Sequence, residues 1–126
     1  MATIKEVVVI DAARSPIGKS GMDGMKKGGQ LCMASSQDLL ASTMRGLLDR
    51  VGNQSTKFKE TEIEEVIVGC ISQVGEQGCN IARISSLLAG IPENASAYTV
   101  NQFGNTGLKA INLGVRTLRA GDERLR

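Results

Sequence analysis

Histidine is absent from this chain altogether, and that one gap removes Ser-His-Asp, Cys-His and His-ligated metal chemistry together, because each needs an imidazole as base or ligand. Tryptophan is missing too, and the aromatics, one Tyr and two Phe, make up 2% of the residues. The core must therefore be built from Val, Ile, Leu, Met and Ala, and the aromatic platforms on which proteins stack single-stranded bases are lacking. Charge of one sign is scarce: 15 basic against 13 acidic residues leave +2, too weak a field to attract a polyanion, so nucleic acid is not an expected partner. Cys32, Cys70 and Cys79 form no C-x-x-C pair, which argues against a disulfide framework or a zinc knuckle and leaves reduced, structural thiols. The amino terminus passes from Met1 to Val7-Val8-Val9-Ile10 with no extended apolar segment, so neither a secretory signal nor a membrane span is expected and the cytoplasm is the default compartment.

Nucleotide motifs fail on inspection. Gly18-Lys19-Ser20 imitates the end of a phosphate-binding P-loop, but Ala13 stands where that motif needs Gly, and Gly21 and Gly24 oppose the helix that must follow. No G-x-G-x-x-G follows the first apolar run, so a dinucleotide has no site and no cofactor is expected. Glu60, Glu62, Glu64 and Glu65 could be offered as paired carboxylates, yet they precede a strand without any sign of burial and read as a solvated surface.

What is present is an alternating pattern. At 126 residues, 41% of them hydrophobic, the chain fits one domain spanning 1–126. Val7 to Asp11 is an uninterrupted apolar run with a polar end, read as a first strand buried on both faces. Ser15 to Gly29 is rich in Gly, Ser and Lys and predicts a long loop. Ser35 with Asp38 resembles a capping box, and Leu40, Met44, Leu47, Leu48 and Val51 recur at helical spacing before Gly52, so a first helix is expected over 36–51. Asn53 to Glu62 reads as loop, and Glu65 to Gly69 as a second buried strand. After Asn80, the positions Ile81, Ile84 and Leu88 mark a short helix ended by Gly90 and Pro92. Tyr98-Thr99-Val100 is the third strand. Leu108, Ile111, Val115 and Leu118, with Arg116 and Arg119 in the last turn and Gly121 beyond, give the third helix. This order predicts an α/β fold, a layered parallel sheet with helices packed on it.

Once the elements are placed, four colinear pieces carry a resemblance that covers nearly the whole chain. They are Val8-Val9-Ile10-Asp11-Ala12-Ala13-Arg14-Ser15-Pro16-Ile17-Gly18; Glu64 to Gly69 followed by Gly75-Glu76-Gln77-Gly78 and Asn80-Ile81-Ala82-Arg83; Ala89-Gly90-Ile91-Pro92; and Thr99 to Ala110. Together they resemble the amino-terminal part of the thiolases. The resemblance implies an incomplete amino-terminal half of a thiolase-type fold, related to enzymes acting on acyl-coenzyme A thioesters. In that family a nucleophilic Cys stands at a helix entrance, where unsatisfied N–H groups and the helix dipole favour thiolate over thiol. Here Gly104 occupies the corresponding position, inside a degenerate loop of Asn101, Gly104, Asn105, Thr106 and Gly107. Thr106 has no base beside it to activate an alcohol, and its expected role is helix capping. Cys79 is expected to be a filler. The family's catalytic His, second Cys and coenzyme A-binding insertion correspond to sequence beyond Arg126. The resemblance therefore implies a fragment or subunit that is non-catalytic by itself. It is expected to assemble as a dimer or with a second thiolase-like chain, and Val7 to Ile10 is expected to present an open apolar edge. Two alternatives remain open: an acyltransferase active only with a partner chain or further sequence, and an acyl-coenzyme A binding module.

Overall fold

The computed structural model describes residues 6–18 and 29–121. Its centre is a pair of parallel strands, β1 (Glu65–Gly69) and β2 (Ser96–Val100), in the register Glu65↔Ser96 through Gly69↔Val100. β-Branched Val66-Ile67-Val68 and Tyr98-Thr99-Val100 fit a pleated, half-buried surface, which is why these runs become strands. A parallel pair needs a crossover. The chain supplies one with a short 3-10 turn at Gly75–Gln77 and the helix α2 (Ile81–Leu88).

Asn80 fastens that crossover. Its Oδ1 accepts from Arg83 N at 3.2 Å and from Thr99 Oγ1 at 2.9 Å, while its Nδ2 donates to Ala97 O at 2.9 Å. One side chain thus caps α2 and ties it to β2. Arg83 closes the return by donating from Nη1 to Ala95 O and from Nη2 to Glu93 O, both at 2.9 Å.

Helix α1 (Ser36–Gln54) begins at the capping box, where Ser35 Oγ accepts from Asp38 N at 3.0 Å and donates to Asp38 Oδ2 at 2.7 Å. It lies against α2, and their shared core of Ala41, Ala89, Ile91 and Ala95 is flanked by Met44, Leu48, Ile63 and Val66. The seam is narrow because α2 turns Ala82, Ser85 and Ser86 inward, all at most 2% exposed. Arg45 spans the far side of this layer. Its guanidinium meets both oxygens of Glu60, reaches Asp49 at 2.8 Å and donates to Ala89 O at 3.3 Å. Helix α3 (Thr106–Ala120) packs chiefly on β1 and ends at Gly121, whose φ of 63° supplies the left-handed cap. Alternation along β1 assigns the faces: Val66 joins the α1–α2 core, while Ile67 and Gly69 meet α3.

The α/β reading and its parallel sheet are borne out, with three corrections. Val7 to Asp11 is irregular chain without strand pairing, not a strand buried on both faces; Val8, Val9 and Ile10 are 71%, 81% and 76% exposed. An apolar run can only propose a strand, because the strand itself exists through pairing with a neighbour. This segment is held by Arg50, which donates from Nε to Asp11 Oδ2 at 2.7 Å and from Nη2 to Ala12 O at 2.6 Å. Second, α1 continues through Gly52 and Asn53 to Gln54, and a further 3-10 turn at Glu60–Glu62 lies within the stretch read as loop. A solvent-facing glycine costs a helix about 1 kcal/mol, which packing of the preceding turns outweighs. Third, Glu60 is not merely solvated, since Arg45 holds its carboxyl below the ordinary carboxylate range. Of the long loop predicted from Ser15 to Gly29, residues 19–28, including Lys19 and Ser20 of the P-loop imitation, lie outside the described residues.

Candidate functional site

The five residues singled out from sequence, Asn101, Gly104, Asn105, Thr106 and Gly107, come together at one corner where β2 passes into α3 through a 3-10 turn at Phe103–Asn105. This corner sits at the carboxyl ends of both parallel strands, the edge at which α/β sheets characteristically place their ligands. Side chains from its two ends fix it. Asn101 Oδ1 accepts from Phe103 N at 2.8 Å, and Asn101 Nδ2 donates to Ile71 O at 2.9 Å, linking the loop to the chain that leaves β1. Thr106 Oγ1 accepts from Gln102 N at 2.9 Å and donates to Phe103 O at 2.5 Å.

Between these clamps Phe103 has a φ of 49°, a left-handed conformation that a bulky L-residue adopts only under constraint. The Phe103 ring points away from the core, at 76% exposure. Gly104 follows, itself exposed, and a Cβ built on it would meet no atom within 4 Å. Its φ lies outside the left-handed region. Neither space nor backbone conformation therefore demands a glycine at this position.

Gly69 is the opposite case. A Cβ there would lie 2.6 Å from Thr106 Cγ2 and 3.0 Å from the Thr106 carbonyl, so the bare end of β1 is what lets α3 begin this close to the sheet. Sequence reasoning placed Gly69 in its strand without singling it out. The available signal was a glycine at a strand's end two elements before a helix entrance.

Two expectations change here. Thr106 does not cap the helix: Asn105 is the N-cap residue and makes no side-chain capping bond, while the Thr106 hydroxyl, on a residue only 4% exposed, is committed to the preceding loop. Cys79 fills nothing, being exposed with a φ of 56°. Cys70 is the buried thiol, and its Sγ donates to Gln77 Oε1 at 3.3 Å.

The motif Gly75-Glu76-Gln77-Gly78 also finds a structural use. Glu76 Oε1 accepts from Ser36 N at 2.8 Å and Glu76 O accepts from Gln37 Nε2 at 2.6 Å, so the turn docks on the start of α1. The Ser36 amide holds the Glu76 carboxyl below its ordinary range. Asp11 is lowered in the same sense, first by the Arg50 hydrogen bond and then by the amide of Ala12. Among the described residues no group of three or more His, Cys, Asp or Glu could hold a metal ion. A groove of about 570 Å³ runs beside α3, lined by Val7 to Ile10, Ile63, Ile67, Ala110, Ile111, Val115 and Leu118 among others, and none of the five corner residues borders it. No helix among the described residues is long and apolar enough to cross a membrane.

Comparison with known proteins agrees with this arrangement. The family described as "Thiolase, N-terminal domain" matches residues 7–125. A 3-ketoacyl-CoA thiolase of Vibrio vulnificus is 37% identical over 119 residues, that of Yersinia enterocolitica 39% over 119, and that of Pectobacterium carotovorum 38% over 119. In each case the match covers 94% of this chain and 28% of the relative. The chain thus spans little more than a quarter of the length of these relatives, and it belongs to the thiolase family, matching its amino-terminal domain.

Proposed function

We propose that this chain, read as a single partial amino-terminal thiolase domain over residues 1–126, forms no acyl-enzyme and serves as a non-catalytic thiolase-like subunit. The observation that carries the reading is Gly104: at the helix entrance where the family resemblance locates a nucleophilic thiol, residue 104 has no side-chain atom to bond an acyl group. Thr106 is the nearest hydroxyl in the loop, and it is buried with both hydrogen-bond directions used. With no histidine in the chain, no imidazole is available to activate it.

The test is exposure of the intact protein to an isotopically labelled acetyl thioester, followed by peptide-resolved mass spectrometry. No label is expected on the peptide spanning Asn101 to Lys109, and a stable acyl adduct mapped there would overturn the reading. Gly104→Cys is expected to acquire a stoichiometric adduct without turnover, since a thiol alone lacks its acid–base partner.

The proposed role is assembly as a homodimer or with a second thiolase-like chain. Support comes from the open groove beside α3, whose apolar walls include Ile111 at 61% and Leu118 at 55% exposure. The cytoplasm is the proposed compartment, since unpaired Cys32, Cys70 and Cys79 suit a reducing environment. A second reading, favoured by the 28% span of the relatives, is an acyltransferase completed by another polypeptide that supplies the rest of a thiolase. Acetoacetyl-coenzyme A cleavage assayed with candidate partner chains tests it, and turnover in any pairing would favour it over the first.

A further inference from the structure

The corner at β2–α3 is held more firmly than an abandoned loop requires. Three hydrogen bonds from two side chains, Asn101 and Thr106, fix the backbone of residues 102 and 103, a fourth from Asn101 ties the loop to Ile71 O, and the Phe103 φ of 49° persists under that constraint. Thr106 has the larger part in this. Its hydroxyl clamps the amide of one loop residue and the carbonyl of the next, and its methyl and backbone rest against the bare Gly69.

We infer that Thr106 is the positioning residue of this corner: its hydroxyl, acting through the backbone of Gln102 and Phe103, sets where a side chain at position 104 projects relative to the amino terminus of α3. This rests on the reading of residue 104 as the nucleophile position. It adds that the geometry for a reactive group is retained although the group is not. A side chain at 104 enters open space, so the N–H groups of the first turn of α3 can act on it only if the loop stays in place. Release of the clamp frees Phe103 to leave its left-handed geometry, and the influence of the helix on residue 104 weakens.

The experiment places a thiol at the position as a reporter in the full chain, Gly104→Cys, and follows its alkylation by iodoacetamide as a function of pH, peptide by peptide. Thiolate is the reacting form, so the profile reads the thiol's acidity directly. Three backgrounds are compared: native Thr106, Thr106→Ser, which keeps the hydroxyl, and Thr106→Val, which keeps the shape and loses it. Exposed Cys79 controls for reagent, and protection of buried Cys70 reports an intact fold. The expected result is one profile shared by Thr and Ser. With Val the midpoint rises by about half a pH unit, roughly a threefold loss of alkylation rate near neutral pH.

An unchanged midpoint in Thr106→Val with Cys70 still protected would overturn the inference. Should the Val variant lose that protection, Thr106→Ser decides alone: a profile displaced from that of Thr106 refutes the role of the hydroxyl, and a coincident one upholds it. No thioester is used, so the outcome is independent of the acyl-adduct test of the function itself.

Discussion

Gly69 and Gly104 occupy the two extremes of what a glycine can mean in one small corner. At Gly69 an added methyl group would overlap Thr106, so Gly69→Ala is expected to destabilise the fold by roughly 1–3 kcal/mol, the usual cost of overpacking, read from the midpoint of urea unfolding. At Gly104 the same change meets open space, and Gly104→Ala is expected to shift stability by no more than about 0.5 kcal/mol. The loop over residues 101–107 was legible in the sequence through its resemblance to the thiolase motif, whose residues lie close together along the chain. The role of Thr106 was not, since a hydroxyl's partners depend on how the loop folds back over it. The same holds for Glu60, whose partner Arg45 lies 15 residues earlier on another element. The Arg45 hydrogen bonds lower the Glu60 carboxyl from its ordinary 4.5. A lowered folded-state value means that the associated stability is present above the ordinary range and lost as pH falls through the depressed one. Thermal unfolding scans from pH 6 down to about pH 3 are therefore expected to show a falling midpoint. Glu60→Gln should lower the midpoint near neutrality and flatten that fall.

Helix ends and β-branched runs were readable ahead of the structure, whereas which apolar run finds a neighbour to pair with was not. The Ser35 capping box, the Asn80 cap and Gly121 with its left-handed φ mark the ends of helices within a few residues of sequence. β1 was read with its observed bounds and β2 lacked only its first two residues, Ser96 and Ala97, because β-branched runs are compact signals. Val7 to Ile10 carries the same kind of signal, yet it lies as unpaired chain beside the groove. Asn80 and Ser35 make an informative comparison. Ser35→Ala removes a cap alone and should cost about 1 kcal/mol, the ordinary value for such a change. Asn80→Ala also releases Thr99 and the carbonyl of Ala97, and is expected to cost more, about 2–3 kcal/mol, since half-buried groups lose their partners. Urea denaturation of the two variants side by side provides the check, and equal losses would assign no value to the ties to β2.

Across the whole molecule, large and small side chains are distributed unusually. Among the described residues, Ser85 and Ser86 are the largest side chains buried to 2% exposure or less, while Val8, Val9, Ile10, Leu108, Ile111 and Leu118 are all at least half exposed. An apolar surface of this kind favours association, so Ile111→Asp or Leu118→Lys is expected to raise solubility and shift sedimentation toward the monomer. Neither change should lower unfolding stability, because neither side chain is buried within the chain. Helix α1 is joined to the rest by bonds that span long stretches of sequence: Gln37 to Glu76 across 39 residues, Arg45 to Ala89 across 44, and Ser85 to Gln37 across 48. Each such tie must close a large loop before it contributes anything. During folding, α1 can therefore coil early on its own capping signals and still be the last piece to find its seat. In hydrogen exchange, its amides should open as a cooperative unit at a lower free energy than those of the β1–β2 ladder.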